Sequence, residues 1–136
     1  MIGPVASILH LIYTLFLLAV GAWGIFCLDW ELATFYALGP DAFDGVAGAT
    51  LRSQFRHLSA IELTFGIFSF VYRKDILAGG LNCTIFLVGV GLGAFARALS
   101  WALDGAPLQA YQTFLFFEIV TLLIVWMNAR QAMAKP

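Results

Sequence analysis

Charge is what this chain has least of. Of its 136 residues, 11% are charged and 62% are hydrophobic. A soluble domain averages nearer a quarter charged, so this composition excludes an ordinary soluble globule and belongs to a membrane protein. The net charge is −1. With no cationic excess, a nucleic-acid partner has no electrostatic support. Cysteine is also scarce. Cys27 and Cys83 are the only two, and they fall near the end of the first pass and the start of the third, at opposite faces of the membrane and too far apart for a disulfide. No C-x-x-C or other metal-ligand spacing occurs. A basic n-region is missing ahead of the first apolar stretch, Val5–Leu28. That stretch is also longer than a signal peptide's apolar core, so it reads as a retained transmembrane helix. There is no repeat, low-complexity tract or interdomain linker, and residues 1–136 read as one domain.

A bilayer pass needs about 20 apolar residues. Four stretches qualify, at approximately Val5–Leu28, Phe55–Tyr72, Leu81–Leu103 and Gln109–Asn128. The first connection, Asp29–Gln54, holds Asp29, Glu31, Asp41 and Asp44 and a Gly39-Pro40 break, and its segment Trp30–Leu38 suits a short interfacial helix. Trp23 and Trp30 fit an aromatic belt. The links Arg73–Gly80 and Asp104–Leu108 are short, which makes their flanking helices antiparallel neighbours. The Arg73-Lys74 link and the Arg130/Lys135 tail are basic, whereas Asp29–Leu51 and Asp104–Leu108 hold no Lys or Arg, and the basic side faces the cytoplasm. The expected fold is therefore an all-α, integral membrane, antiparallel four-helix bundle with both termini cytoplasmic.

Three of the four runs carry an ionisable residue at depth. By residue count at the helical rise, Glu62 lies about 12 Å, Arg97 about 10 Å and Glu118 about 15 Å from the outer helix ends. A charge in the bilayer costs roughly 2.5 kcal/mol or more on insertion scales, so such residues point to function. Helical periodicity places His10, Thr14, Leu17, Gly21 and Gly24 on one stripe of the first pass. Phe55, Ser59, Glu62, Gly66 and Ser69 form the stripe of the second. On the third it is Gly89, Gly93, Arg97, Ser100 and Asp104, and on the fourth Tyr111, Phe114, Glu118, Thr121 and Val125. Membrane helices pack through small residues and turn polar groups inward, so these stripes should face one another. The arm of Arg56 reaches the same layer, giving two arginines and two glutamates with no net charge, as a low-dielectric interior requires. Asp104 terminates its helix at a turn or pairs with Arg52 or Arg56.

Two readings of that layer stand side by side. It is a polar pocket for a lipophilic small molecule, or a set of ion pairs clipping helices into register. In the first, Arg97 and Arg56 hold an oxygen of the ligand, and Ser59, Ser100, Tyr111 and His57 line the site. Glu62 or Glu118 then acts as general acid or base, which suits isomerisation or hydration. In the second, the chain is a structural or accessory subunit, as a homo-oligomer or in a larger membrane complex, in contact with membrane lipids. A transporter is disfavoured, because the inner half offers only His10, Thr14, Ser69 and Asn82. His10 reads as a packed or interfacial histidine. His57 is a headgroup-level histidine or, less in keeping with its surroundings, a cofactor ligand.

Arg56, the glycine-rich run into Arg97, Ser100, Asp104-Gly105-x-Pro107 and Phe117-Glu118 together resemble a bacterial family of small four-helix membrane proteins catalogued only as a domain of unknown function. The resemblance covers about Arg52–Met127, and it implies a fold, a bacterial inner-membrane location and no activity. His57-Leu58-Ser59-Ala60 and Thr64-Phe65-Gly66 are similar to a stretch of the ergosterol-biosynthesis scaffold proteins, which implies tethering of lipid-modifying enzymes. Arg56, His57 and Ser59 also stand in a place comparable to the haem-binding opening of the second span in styrene oxide isomerase. That resemblance implies haem at His57; the residues themselves call for no cofactor.

Overall fold

The computed structural model describes residues 2–39 and 44–134. Pro40, Asp41 and Lys135, which entered the loop and orientation readings, lie outside the described residues. Every regular element described is an α-helix: α1 (Ile2–Phe26), α2 (Leu28–Phe35), α3 (Gly45–Val71), α4 (Arg73–Ala78), α5 (Leu81–Asp104) and α6 (Gln109–Met133). Among the described residues, α1, α5 and α6 are long and apolar enough to cross a membrane. This marks a membrane protein, and the expected first, third and fourth passes fall in these helices.

The expected second pass lies within α3, which is not one of the three. At 27 residues α3 is long enough, but Arg52, Arg56, His57 and Glu62 dilute its apolar character. It begins ten residues before the expected start at Phe55. Nothing from Ala49 to Gln54 breaks a helix, so the backbone continues where the hydrophobicity does not. Thr50 donates to the Val46 carbonyl at 2.8 Å within that added stretch. The short interfacial helix exists as α2, displaced toward the N-terminus from the expected Trp30–Leu38. It restarts the chain after Cys27, whose φ of −126° and ψ of 39° end α1.

Backbone contacts gather into two compact units. The first combines Met1–Tyr13 with Ser69–Pro136. Its core is Ala6, His10 and Tyr13 of α1, Ile76 of α4, Cys83, Phe86, Val90 and Ala94 of α5, and Leu115, Thr121, Val125 and Ala129 of α6. Phe86 is fully buried, with the His10 ring 5.0 Å away and the Tyr13 ring edge-on at 6.0 Å. His10 is thus a packed histidine, and its Nε2 lies 3.1 Å from the Ser69 hydroxyl. Arg73 donates to the Ser7 carbonyl at 3.2 Å and also to its hydroxyl. Asn128 donates to the Leu77 carbonyl at 2.9 Å, tying α6 to α4. Gly79 ends α4 at φ +90°, and a Cβ there would come within 2.9 Å of Met133 and 3.1 Å of the Ala129 carbonyl. Glycine alone meets both demands.

The second unit is Thr14–Phe68. Here α1 and α3 approach closely. A Cβ on Gly21 would stand 2.5 Å from the Leu63 backbone nitrogen, and one on Gly66 would stand 3.0 Å from Leu18. Small residues permit such contact between membrane helices. Leu28 and Leu32 of α2 form a local core with Tyr36, Leu38 and Phe55. Arg52 pairs with Asp29, which fixes α2 to α3.

Candidate functional site

In the first unit the turn between α5 and α6 positions the polar groups. Gly105 ends α5 with φ +98°, Gln112 donates to the Pro107 carbonyl at 2.9 Å, and α6 runs back alongside α5. Arg97 and Glu118 meet across this hairpin. Arg97 Nε lies 3.3 Å from Glu118 Oε1 and 3.2 Å from Oε2. Glu118 is buried, whereas the Arg97 side chain is 32% exposed. Gly93, one turn before Arg97, lies beside the carboxylate, where a Cβ would stand 3.9 Å from Oε1, in ordinary contact. The Arg97 guanidinium also stands 5.7 Å from the centre of the Tyr111 ring, within cation–π range.

These contacts occupy Nε and one face of the guanidinium. The group carries five N–H donors, and its terminal nitrogens make no hydrogen bond among the described residues. Beside it is a cavity of about 130 Å³ lined by Arg97, Ser100, Trp101, Pro107, Tyr111 and Leu115. Arg97, Ser100 and Tyr111, three residues expected in the site, are thereby brought together. Ser100 donates to Asp104 at 2.7 Å within α5, while Arg52 pairs with Asp29.

The burial pattern corrects the expected face of α5. The buried stripe is Cys83, Phe86, Val90 and Ala94; Gly89, Gly93 and Arg97 are half-buried, and Ser100 and Asp104 are exposed. Polarity marked the wrong edge of this helix, because its long aliphatic residues fill the core beside the small ones. The other stripes agree better with expectation. His10, Thr14, Leu17, Gly21 and Gly24 are all buried, as are Ser59, Gly66 and Ser69. On α6, Glu118, Thr121 and Val125 are buried, with Tyr111 and Phe114 half-buried.

In the second unit Glu62 is half-buried on α3, and Ser59, one turn earlier, is buried with its hydroxyl donating to the Phe55 carbonyl at 3.0 Å. Arg56 is exposed rather than reaching inward, and so is His57. Both sit on the outward side of the turn that buries Ser59. His57 does not line the cavity beside Arg97. Among the described residues no group of three or more His, Cys, Asp or Glu stands where it could hold a metal ion.

Glu31 was read from the sequence only as one of the acids of the first connection. It is 5% exposed, and its Oε2 has no hydrogen-bond partner among the described residues. That oxygen is 2.4 Å, and Ser59 Oγ 2.0 Å, from the point where a Gly24 Cβ would stand. Burial pushes the Glu31 carboxyl above its ordinary range, and the negative charge of Glu62 adds to the shift. One signal was present: Leu28, Glu31 and Leu32 fall on one face of a helix, so burying the leucines buries the glutamate.

The chain matches the family model for DUF4345, a domain of unknown function, over residues 5–128, and it belongs to that family. No curated protein and no solved structure matches it.

Proposed function

We propose that this DUF4345 protein is a multi-pass protein of the bacterial inner membrane that binds a lipophilic small molecule by an oxygen-bearing head group at Arg97. In this reading α3 supplies the fourth pass of an antiparallel four-helix bundle, and both termini are cytoplasmic, as the basic residues Arg73, Lys74 and Arg130 require. The observation that carries it is the state of Arg97. Glu118 engages Nε, Tyr111 covers a face, and Arg97 borders a cavity. An arginine held so is pre-organised for a carboxylate, phosphate or carbonyl oxygen. Ser100 and Tyr111 line the same cavity and supply hydroxyls.

Chemistry at the site is the stronger form of the proposal. Glu118, as an acid or base bonded to Arg97, suits proton transfer in isomerisation or hydration. Glu62 belongs to a second polar group with Ser59, Gly24 and Glu31, which suits a proton-holding role there. Arg56 and His57, being exposed, contribute to head-group recognition at the membrane surface.

The pairing of Arg97 with Glu118 across two helices also favours the accessory-subunit reading, in which the pair locks α5 to α6. One experiment separates the two. Purified protein is titrated with a fatty acid and with the corresponding alkane while thermal stability is followed, for the parent and for Arg97→Gln. Binding predicts stabilisation of the parent by the acid alone and at least tenfold weaker response in the variant. A parent indifferent to both ligands, with Arg97→Gln lowering Tm and oligomer yield, overturns the binding reading in favour of the lock.

A further inference from the structure

A second groove lies elsewhere, at the end of the α5–α6 hairpin remote from Arg97, where α4 joins it. It measures about 400 Å³, within the size range of small-molecule sites. Leu87, Val88, Leu122 and Met133 form apolar walls, with Trp126 and Arg130 along α6. Arg130 lies over the Trp126 ring, 5.5 Å from its centre. We infer that this groove is a binding site for one anionic glycerophospholipid, whose acyl chain lies along the apolar walls and whose phosphodiester meets the Arg130 guanidinium. The Arg97 site plays no part in this inference.

Three observations on charge and length select that occupant. Arg130 is exposed and no carboxylate pairs with it among the described residues. Stacking on Trp126 occupies its face and leaves the in-plane N–H donors open, the geometry that suits a phosphate oxygen. The charges near this end are Arg73 and Lys74 against Asp75, and Asp75 accepts a hydrogen bond from Asn82 at 3.2 Å. The surplus is positive, and it would repel a cationic head. Leu122 to Arg130 covers eight residues, about 12 Å at the helical rise, close to the depth of one leaflet of a core about 30 Å thick. A chain lying in the groove therefore brings its head to the arginine and the tryptophan, where interfacial aromatics sit. Val88, 54% exposed, forms an open wall, so a lipid enters sideways from the bilayer without an opening step.

Native mass spectrometry of the detergent-solubilised chain tests this, with phosphatidylglycerol and phosphatidylcholine of identical acyl chains supplied in equal amounts. One cation near the surface contributes about 1 kcal/mol for an anionic lipid, which is about a fivefold preference for phosphatidylglycerol. Arg130→Gln should bring the two lipids to parity. Val88→Trp, which fills the groove, should reduce both adducts while leaving Arg130 in place. Excess inorganic phosphate should leave the adducts unchanged, because the chain supplies most of the affinity. Equal binding of both lipids by the parent overturns the proposal. So does an undiminished preference in Arg130→Gln, or displacement of the lipid by free phosphate. Both substituted residues are exposed, and retention of the parent's melting temperature shows that the variants are folded.

Discussion

Glu118 holds Arg97 by a single nitrogen: both carboxylate oxygens lie within 3.3 Å of Nε, and the bond crosses from α6 to α5. This arrangement joins the two helices without using up the arginine. It also makes the two residues unequal. Glu118 is buried and depends on the pair for its neutralisation, whereas Arg97 retains access to the cavity.

Removing one partner should therefore cost more than removing both. Arg97→Leu leaves an unpaired buried carboxylate, and we expect a loss of about 1 to 3 kcal/mol, discounted for the partial exposure of the arginine. The double variant Arg97→Leu/Glu118→Leu should recover part of that loss. Thermal unfolding of the four proteins of the cycle measures it, and strictly additive effects would show that the pair is not coupled.

Glu31 predicts a pH dependence of stability. Its folded-state pKa is raised by burial and by Glu62, so the folded protein holds this proton more tightly than the unfolded chain. Stability from this group is then present at low pH, and it falls as pH rises from the ordinary carboxylate value through the raised one. Glu31→Gln removes the dependence. The variant should melt higher than the parent at pH 8 and match it more closely at pH 4. A variant whose pH profile parallels the parent's would refute the assignment.

The glycines of the second unit should rank by what they face. Gly21→Ala drives a methyl group against the Leu63 backbone, 2.5 Å from its nitrogen, which cannot move without shifting α3. Gly24→Ala meets Ser59 Oγ and Glu31 Oε2, which are side-chain atoms. Both substitutions overpack, a change that costs typically about 1 to 3 kcal/mol. Gly21→Ala should be the more damaging, by melting temperature. Equal losses would mean that α1 and α3 separate freely.

The two free cysteines report topology directly. Cys27 is exposed and Cys83 is buried. Under the proposed orientation Cys27 would follow the first pass on the outer side, so a membrane-impermeant maleimide applied to spheroplasts should label Cys27 and spare Cys83. Labelling of Cys27 only in inverted vesicles would reverse the orientation.

The helices that carry the chain were legible because their ends are chemical. Gly79-Gly80 and Asp104-Gly105 bracket α5 within a residue of expectation, and Arg97 with Glu118 announced itself as ionisable residues in apolar runs. The start of α3 was not legible, because hydropathy reports where apolar residues begin and the helix begins ten residues sooner. The buried face of α5 was misread for a related reason. In a membrane protein both faces are apolar, so Gly89 and Ser100 say little about which side holds Phe86 and Val90. Glu31 was missed because its burial depends on α2 folding back onto α3, a contact made by Leu28, Leu32 and Phe55.

Leu63 seats on Gly21 while Leu18 seats on Gly66, so each of these two helices carries both a tooth and a notch for the other. Such meshing resists rolling and slipping alike, since either motion must lift a leucine over a ridge of backbone. A push applied to α1 is consequently passed on to α3 rather than dissipated.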